Sequence, residues 1–396
     1  MADSASLAFR RVYGVMSGDL PDRVPFIPKI WVDLACELTG TPLTDVLSDP
    51  YVALEVLVKA AMDVASDGVR QYHFPERRVL IEGESVIETN RKGRRIGTVD
   101  MKGGLMTRLY DASDYHLEDP YTMAHYHYWT PPGPVVSNLK DVKKICVPDK
   151  DFYRQIGWGK RQKPLMNLYG EHIAFIGDCD SATLAFHECL RGMGQAMLDL
   201  MDEPILVHRI MEKGVAIAVE KGKHHIDTGI KILRLNDSIA NMSVISPGQW
   251  REFIKPHIRE VCEALHGYDP SVRIYCHICG NILPVLEDLL ETGLDCIAPL
   301  DPLGGFTPAQ IREKAGREAV LMGGINTLSF INNSMEELVD EAKTCMRQAG
   351  MHGAFLLGSG CVVPRGTARD MLAAVSRTVA EYGVYEKGRL DKLWDI

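Results

Sequence analysis

An α/β fold built as a parallel (β/α)8 TIM barrel is what the sequence predicts, and three observations predict it. From about residue 170 onward, short apolar runs alternate with longer helical patterns. Those runs are apolar along nearly their whole length, as strands covered on both faces must be. Several of them end in a polar residue, which is where barrel enzymes carry their chemistry.

The first strand candidate is DGVRQYHF (67–74), preceded by an N-terminal extension. Between about 75 and 150 the pattern changes. VLIEGESVIETNRKGRRIGTVD reads as one or two hairpins around Arg91-Lys92-Gly93, followed by the aromatic stretch YTMAHYHYWTPPGP and a helix start at SNLKDVKK. This stretch is expected to be an insertion covering one barrel mouth. The regular alternation then runs through HIAFIGD (172–178), IKILRLND (230–237), VRIYCHICG (272–280), LDCIAPLD (294–301), AVLMGGIN (319–326) and GAFLLGSGC (353–361). ILPVLEDLLETG (282–293) and SMEELVDEAKTCMRQAG (334–350) read as intervening helices, the second with a Ser start, a Glu three residues on and a closing Gly. With the early candidate, these units approach the eight of a barrel. No repeat or linker interrupts them, so residues 1–396 are expected to form a single elaborated domain.

A net charge of −9 with no basic run excludes a nucleic-acid surface. The apolar segments are too short to span a membrane, and the start MADSASLAFRRVYG lacks the apolar core of a signal peptide. The cytoplasm is the expected location, and a homodimer is allowed. Ten scattered cysteines do not form a disulfide framework in a chain of this size.

Cysteine chemistry concentrates in RIYCHICGN (273–281). Side chains alternate along a strand, so His277 and Cys279 share a face while Cys276 points to the helices. A redox pair Cys276-x-x-Cys279 would belong at a helix start, where the dipole lowers a thiol pKa, rather than inside a strand. Cys361, at another strand end in GSGC, adds a second sulfur. One imidazole and two thiolates select zinc, and three protein ligands leave a position open, as in a catalytic site; the alternative is that these are ordinary core residues. Asp301, ending the strand between them, is the candidate fourth ligand; a helix cap or satisfied core carboxylate is the alternative. Asp178, Asn236 and Asp237 also stand at strand ends. The first two are candidates for substrate contact and Asp237 for a catalytic carboxylate, although each residue type equally caps the following helix.

The sequence resembles the uroporphyrinogen decarboxylase superfamily, in particular its zinc-dependent, corrinoid-linked methyltransferase branch. HICGN (277–281) and GSGCVVPRGTARDML (358–372) match that branch's His-x-Cys and later Gly-rich Cys segments. FIGDCDSATLAFHECLRGMGQAMLDLMDEPILVHRIM (175–211) and ILRLNDSIANMSVISPGQWREFIKPH (232–257) resemble its middle blocks, and RVPFIP (23–28) is similar to its opening strand region. The ligand spacing is also similar to that of cobalamin-independent methionine synthase, where a Glu stands in the place of Asp301. The decarboxylase branch fits less well: the region of its arginine-bearing loop reads FIPKIWVDLACELTG, with Lys29 and no arginine.

The resemblance implies zinc, and methyl transfer from a small methylated donor to the cobalt of a corrinoid (cobalamin) on a partner protein. The alternatives are transfer from a methylcorrinoid to a thiol, a decarboxylase, or a zinc-binding barrel without catalysis. A methoxylated aromatic donor would suit a wall of Trp31, Tyr72, His73, Tyr126, His127, Tyr128 and Trp129, residues that equally suit a hydrophobic cover. His127 is the candidate acid for a departing phenolate, or else a structural imidazole.

Overall fold

In the computed structural model, which describes residues 7–71 and 73–393, every apolar run of the sequence becomes a strand. The strands are β1 (Gly68–Gln71), then β2 (Arg78–Glu82), β3 (Ser85–Thr89), β4 (Arg95–Val99), β5 (Thr107–Leu109) and β6 (Trp129–Thr130) in the insertion. The remainder are β7 (Ala174–Asp178), β8 (Ile232–Asn236), β9 (Arg273–His277), β10 (Cys296–Leu300), β11 (Leu321–Ile325) and β12 (Phe355–Ser359). The parallel sheet runs β1-β7-β8-β9-β10-β11-β12, with neighbours in chain order as βαβ units require.

The eighth stave is a segment that strand periodicity does not reveal. Residues 24–29 lie between β12 and β1: Ile27 N–H donates to Leu357 O at 2.8 Å, Leu357 N–H to Pro25 O at 2.9 Å, and Asp67 N–H to Phe26 O at 2.8 Å. Parallel bridges join Phe26 to Leu357 and Lys29 to Val362. Pro25 and Pro28 have no N–H to donate, so the pairing survives only as single bridges. Gly358 makes the approach possible, because a Cβ there would stand 2.6 Å from Ile27 O. Asp67 fastens the stave, accepting from Phe26 N–H at 2.8 Å and pairing with Arg11 and Arg23.

Alternation sorts each strand into two layers. Ala174, Ile176, Ile232, Tyr275, Cys296, Ala298, Met322 and Leu356 face the barrel interior. That interior is closed at the N-terminal end by Val12, Val15 and Met16 of the helix Leu7–Met16, so the N-terminal extension acts as a plug. Leu233, Ile274, Cys276, Ile297, Leu321 and Leu357 pack outward among Cys262, Leu265 and the surrounding helices. Cys276 thus points away from His277, as alternation requires.

The insertion folds as a sheet ordered β2-β3-β4-β5-β6, antiparallel except for β5 with β6. The β3–β4 turn is the expected one: Gly93 takes φ 78° and its N–H donates to Asn90 O. The helix Met335–Ala349 carries the full capping box of Ser334 with Glu337. ILPVLEDLLETG is a shorter element than its apolar spacing predicts: a 3-10 turn at Leu283–Val285, then one helix, Leu286–Leu290. Pro284 suits only a first turn, and Gly293 at φ 87° ends the segment. No helix among the described residues is long and apolar enough to cross a membrane.

Candidate metal centre and its cavity

At the C-terminal ends of the strands, β9 and β12 bring His277, Cys279 and Cys361 together, with their donor atoms all within 4.8 Å of one another. His277 ends β9, Cys279 follows on the same face, and Cys361 follows β12 on a loop held close to β10. Gly360 permits that closeness, since a Cβ there would stand 2.9 Å from the Asp301 backbone. Nε2 of His277 lies 3.8 Å from the Cys361 sulfur. Among the described residues this is the only group of three or more His, Cys, Asp or Glu donors arranged to hold an ion.

The electrostatics suit metal binding. Burial first, then Lys29, Arg234 and Arg70, hold the His277 pKa well below the usual imidazole range, so its ring is neutral as a ligand must be. The neighbouring sulfurs shift each other in opposite directions: Cys279 lowers Cys361 to about 5, and Cys361 raises Cys279. A buried imidazole with two sulfurs fits zinc by donor type.

A cavity of about 560 Å³ opens beside the trio. Cys279 and Cys361 line one wall with Lys29 and Arg234; Trp31, Tyr126, His127 and Tyr128 line another, with Met106 from the insertion. Asp178 and Asn236 also border it, and both are bound by Arg234, whose Nη1 donates to Asp178 at 2.6 Å and whose Nη2 donates to Asn236.

The expected residues divide clearly. Trp31, His127, Tyr128, Asp178 and Asn236 line the cavity with the two cysteines. Asp237 does not: its carboxylate accepts from Leu184 N–H and Ala185 N–H, both at 2.9 Å, and so caps the helix Leu184–Arg191. Burial raises its pKa to about 7. Asp301 falls outside the donor group, with Oδ2 accepting from Gly280 N–H at 2.9 Å and Oδ1 from Leu303 N–H at 3.1 Å. His73 stacks on Trp158 at 3.8 Å, away from the cavity, and Trp129 donates its indole N–H to Glu88 at 3.0 Å. Tyr72 lies outside the described residues. The His127 pKa is pushed down to about 3 by burial, then by Lys221, so its ring is neutral beside Asp180.

Three cations escape a reading by strand ends. Lys29 places Nζ 2.9 Å from His277 Nε2, and Arg70 and Arg234 are buried on β1 and β8. The available signal was a charge inside an otherwise apolar run, in FIPK, GVRQ and ILRLN. A buried strand does not tolerate such a charge without a task or a partner. Asp180, an anion just past the end of β7, was missed as well: it borders the cavity and pairs with the buried Lys221.

The family model described as uroporphyrinogen decarboxylase (URO-D) matches residues 132–382. The methylated-thiol–coenzyme M methyltransferase of Methanosarcina mazei is 25% identical over 183 residues, covering 45% of this chain and 46% of that protein. The uroporphyrinogen decarboxylase of Chlorobium phaeovibrioides is 25% identical over 246 residues, covering 58% and 66%. The chain thus spans about half to two thirds of the length of these curated relatives. A solved methyltransferase from Methanosarcina mazei superposes with a TM-score of 0.65 at 14% identity, over 95% of this chain and 98% of that one, and so shares its fold.

Proposed function

Since the chain belongs to the uroporphyrinogen decarboxylase family, we propose that it is a zinc-dependent methyltransferase working with a corrinoid protein. In this reading it moves a methyl group from a small methylated compound, with methoxylated aromatics as the leading class, to the cobalt of the partner's corrinoid. The observation that carries the reading is the convergence of His277, Cys279 and Cys361 on the wall of the cavity.

His277, Cys279 and Cys361 would hold zinc, which supplies Lewis-acid stabilisation of a heteroatom as its bond to the methyl group breaks. The chain's own groups do the rest. Trp31, Tyr126 and Tyr128 present ring faces and edges for a flat substrate and exclude water from that side. Arg234 fixes Asp178 and Asn236, so that their remaining polar edges meet the substrate in one orientation. His127, a neutral ring, offers a hydrogen bond to a departing oxygen from its place on the cavity wall.

A second reading, transfer from a methylcorrinoid to a thiol, is favoured by the similarity to the methylated-thiol enzyme. One experiment separates the two. The purified chain is offered methoxyaromatics, methylamines and methylthiols with a reduced corrinoid protein, and the methylcobalt absorbance is followed. Methylation by a methoxyaromatic supports the first reading. Activity confined to the reverse sense, from methylcobalamin to a thiol, removes it.

A further inference from the structure

We propose that the insertion is a self-association site: β2 of one chain pairs antiparallel with β2 of a second copy, about a two-fold axis at Leu80. β2 is an edge of the insertion sheet, and among the described residues no further strand lies beyond it. The opposite edge is blunted, since β6 is two residues long and runs straight into Pro131 and Pro132. β2 has no such guard. Between Arg78 and Glu82 it reads Val79-Leu80-Ile81, with no proline, glycine or lysine to discourage another strand. Leu80 is 46% exposed and Ile81 64%, two adjacent large apolar side chains on opposite faces of a bare edge.

The hairpin decides which backbone groups are open. Glu82 pairs with Ser85 across the two-residue turn Gly83-Glu84, where Gly83 takes φ 61°. Residues flanking such a turn exchange both hydrogen bonds, so Glu82, Leu80 and Arg78 direct their N–H and C=O groups to β3. Those of Val79 and Ile81 point the other way. The outward donor before them, Arg77 N–H, already has a partner in Leu47 O at 3.0 Å, which ends the open stretch on that side. An antiparallel ladder needs outward groups opposite outward groups. A two-fold axis at Leu80 meets that need, because it sets Val79 of each chain opposite Ile81 of the other. Both pairs exchange backbone hydrogen bonds, and the two Leu80 side chains meet in the closer, non-hydrogen-bonded kind of pair.

The charges commit the edge to a second copy of the same strand. The two-fold axis places Arg78 of each chain opposite Glu82 of the other, a cation facing an anion at both ends of the ladder. In-register parallel pairing would instead oppose Arg78 to Arg78 and Glu82 to Glu82. Glu82 already meets Arg95 within its own sheet, but both side chains are exposed and a carboxylate has two oxygens to offer, so a cross-chain arginine can join. A ladder of five residues is a small interface, and the association it supports is reversible and concentration-dependent. None of this draws on the metal centre, so the inference stands apart from the proposed function.

The test is sedimentation of the full chain from about 1 to 100 µM, beside Leu80→Lys, Arg78→Glu, Glu82→Arg and the double variant Arg78→Glu/Glu82→Arg. The mass should rise from one chain to two across that range. Leu80→Lys sets two ammonium groups against each other and should weaken association about 10-fold or more, while the thermal midpoint, which reads the fold of each chain, stays near the parent's. Either single charge reversal should weaken it about 3- to 30-fold, and the double variant should recover most of that loss. Mild oxidation of Leu80→Cys should give a disulfide-linked dimer that the parent, with its ten native cysteines, does not form. A single-chain mass at every concentration overturns the inference and leaves the edge to a different protein. A dimer indifferent to all these changes, or one that Leu80→Cys fails to cross-link, overturns it as well, because a different face then joins the copies.

Discussion

At the strand ends His277 meets two sulfurs beside a cavity, whereas behind the insertion His73, His125, His224 and His225 meet mainly one another and the rings around them. His73 lies flat on Trp158 at 3.8 Å, and His125 stands edge-on to the same indole at 5.4 Å. Gln162 bonds His73 and His225, His225 Nε2 meets Asp178 O at 3.1 Å, and His125 Nδ1 meets Tyr121 O at 3.0 Å. Lys221 passes over the Trp158 face at 4.7 Å to reach Asp180. Both regions hold buried, neutral imidazoles, so burial and a depressed pKa do not distinguish a site from a core. Convergence of donors on one point, with space beside it, does.

The sharpest way to break that contrast is to remove a sulfur. Cys361→Ser should lower zinc affinity by about 100-fold or more and abolish methyl transfer, while thermal stability in chelator stays near that of the metal-free parent. Unchanged zinc content by elemental analysis would erase the distinction between the two regions. The converse substitution lies behind the insertion. Trp158→Ala should cost roughly 3–5 kcal/mol of folding stability in denaturant titrations, through the void left between His73 and Lys221, with zinc stoichiometry unchanged.

Acid separates the regions through folding. His73, His125 and His225 have pKa values well below the usual imidazole value of about 6.5, and His224 is lowered to about 4, burial being the first cause in each. A group whose folded pKa is depressed contributes stability in full above its unfolded value and loses it as pH falls through the folded one. Denaturation midpoints should therefore be flat above pH 6.5 and fall steadily towards pH 4. A profile without that fall would show that these rings open to solvent before they charge. The smallest effect is expected at Asp301. Asp301→Asn leaves only one acceptor for two N–H groups, so stability should drop by about 1–3 kcal/mol with zinc affinity changed only a few-fold. A large loss of zinc would return Asp301 to the ligand set.

The strands β7 to β12 were legible because each is a buried, near-continuous apolar run, and alternation alone sent Cys276 outward and His277 inward. Periodicity did not show the eighth stave, since two prolines in RVPFIP remove the alternation; only the resemblance to the family's opening strand region pointed to it, and the pairing itself appears in the closed barrel. Asp237 looked like a catalytic carboxylate because its use is non-local: the N–H groups it caps belong to residues 184 and 185, after the neighbouring strand. Lys29 read as the absence of an arginine. Its significance depends on a contact with a residue 248 positions away, which no local pattern encodes.

That eighth stave also orders events in the life of the molecule. Residues 24–29 leave the ribosome early, but their partners Leu357 and Val363 are more than 300 residues downstream. Neither barrel closure nor the pairing of the two sulfurs can precede synthesis of Cys361, so a growing chain offers metal at most two of its three donors. Ring closure and metal capture are thus tied to one late, long-range event, the slowest kind of contact for a chain to make. Incomplete or truncated copies should leave the cell's zinc alone.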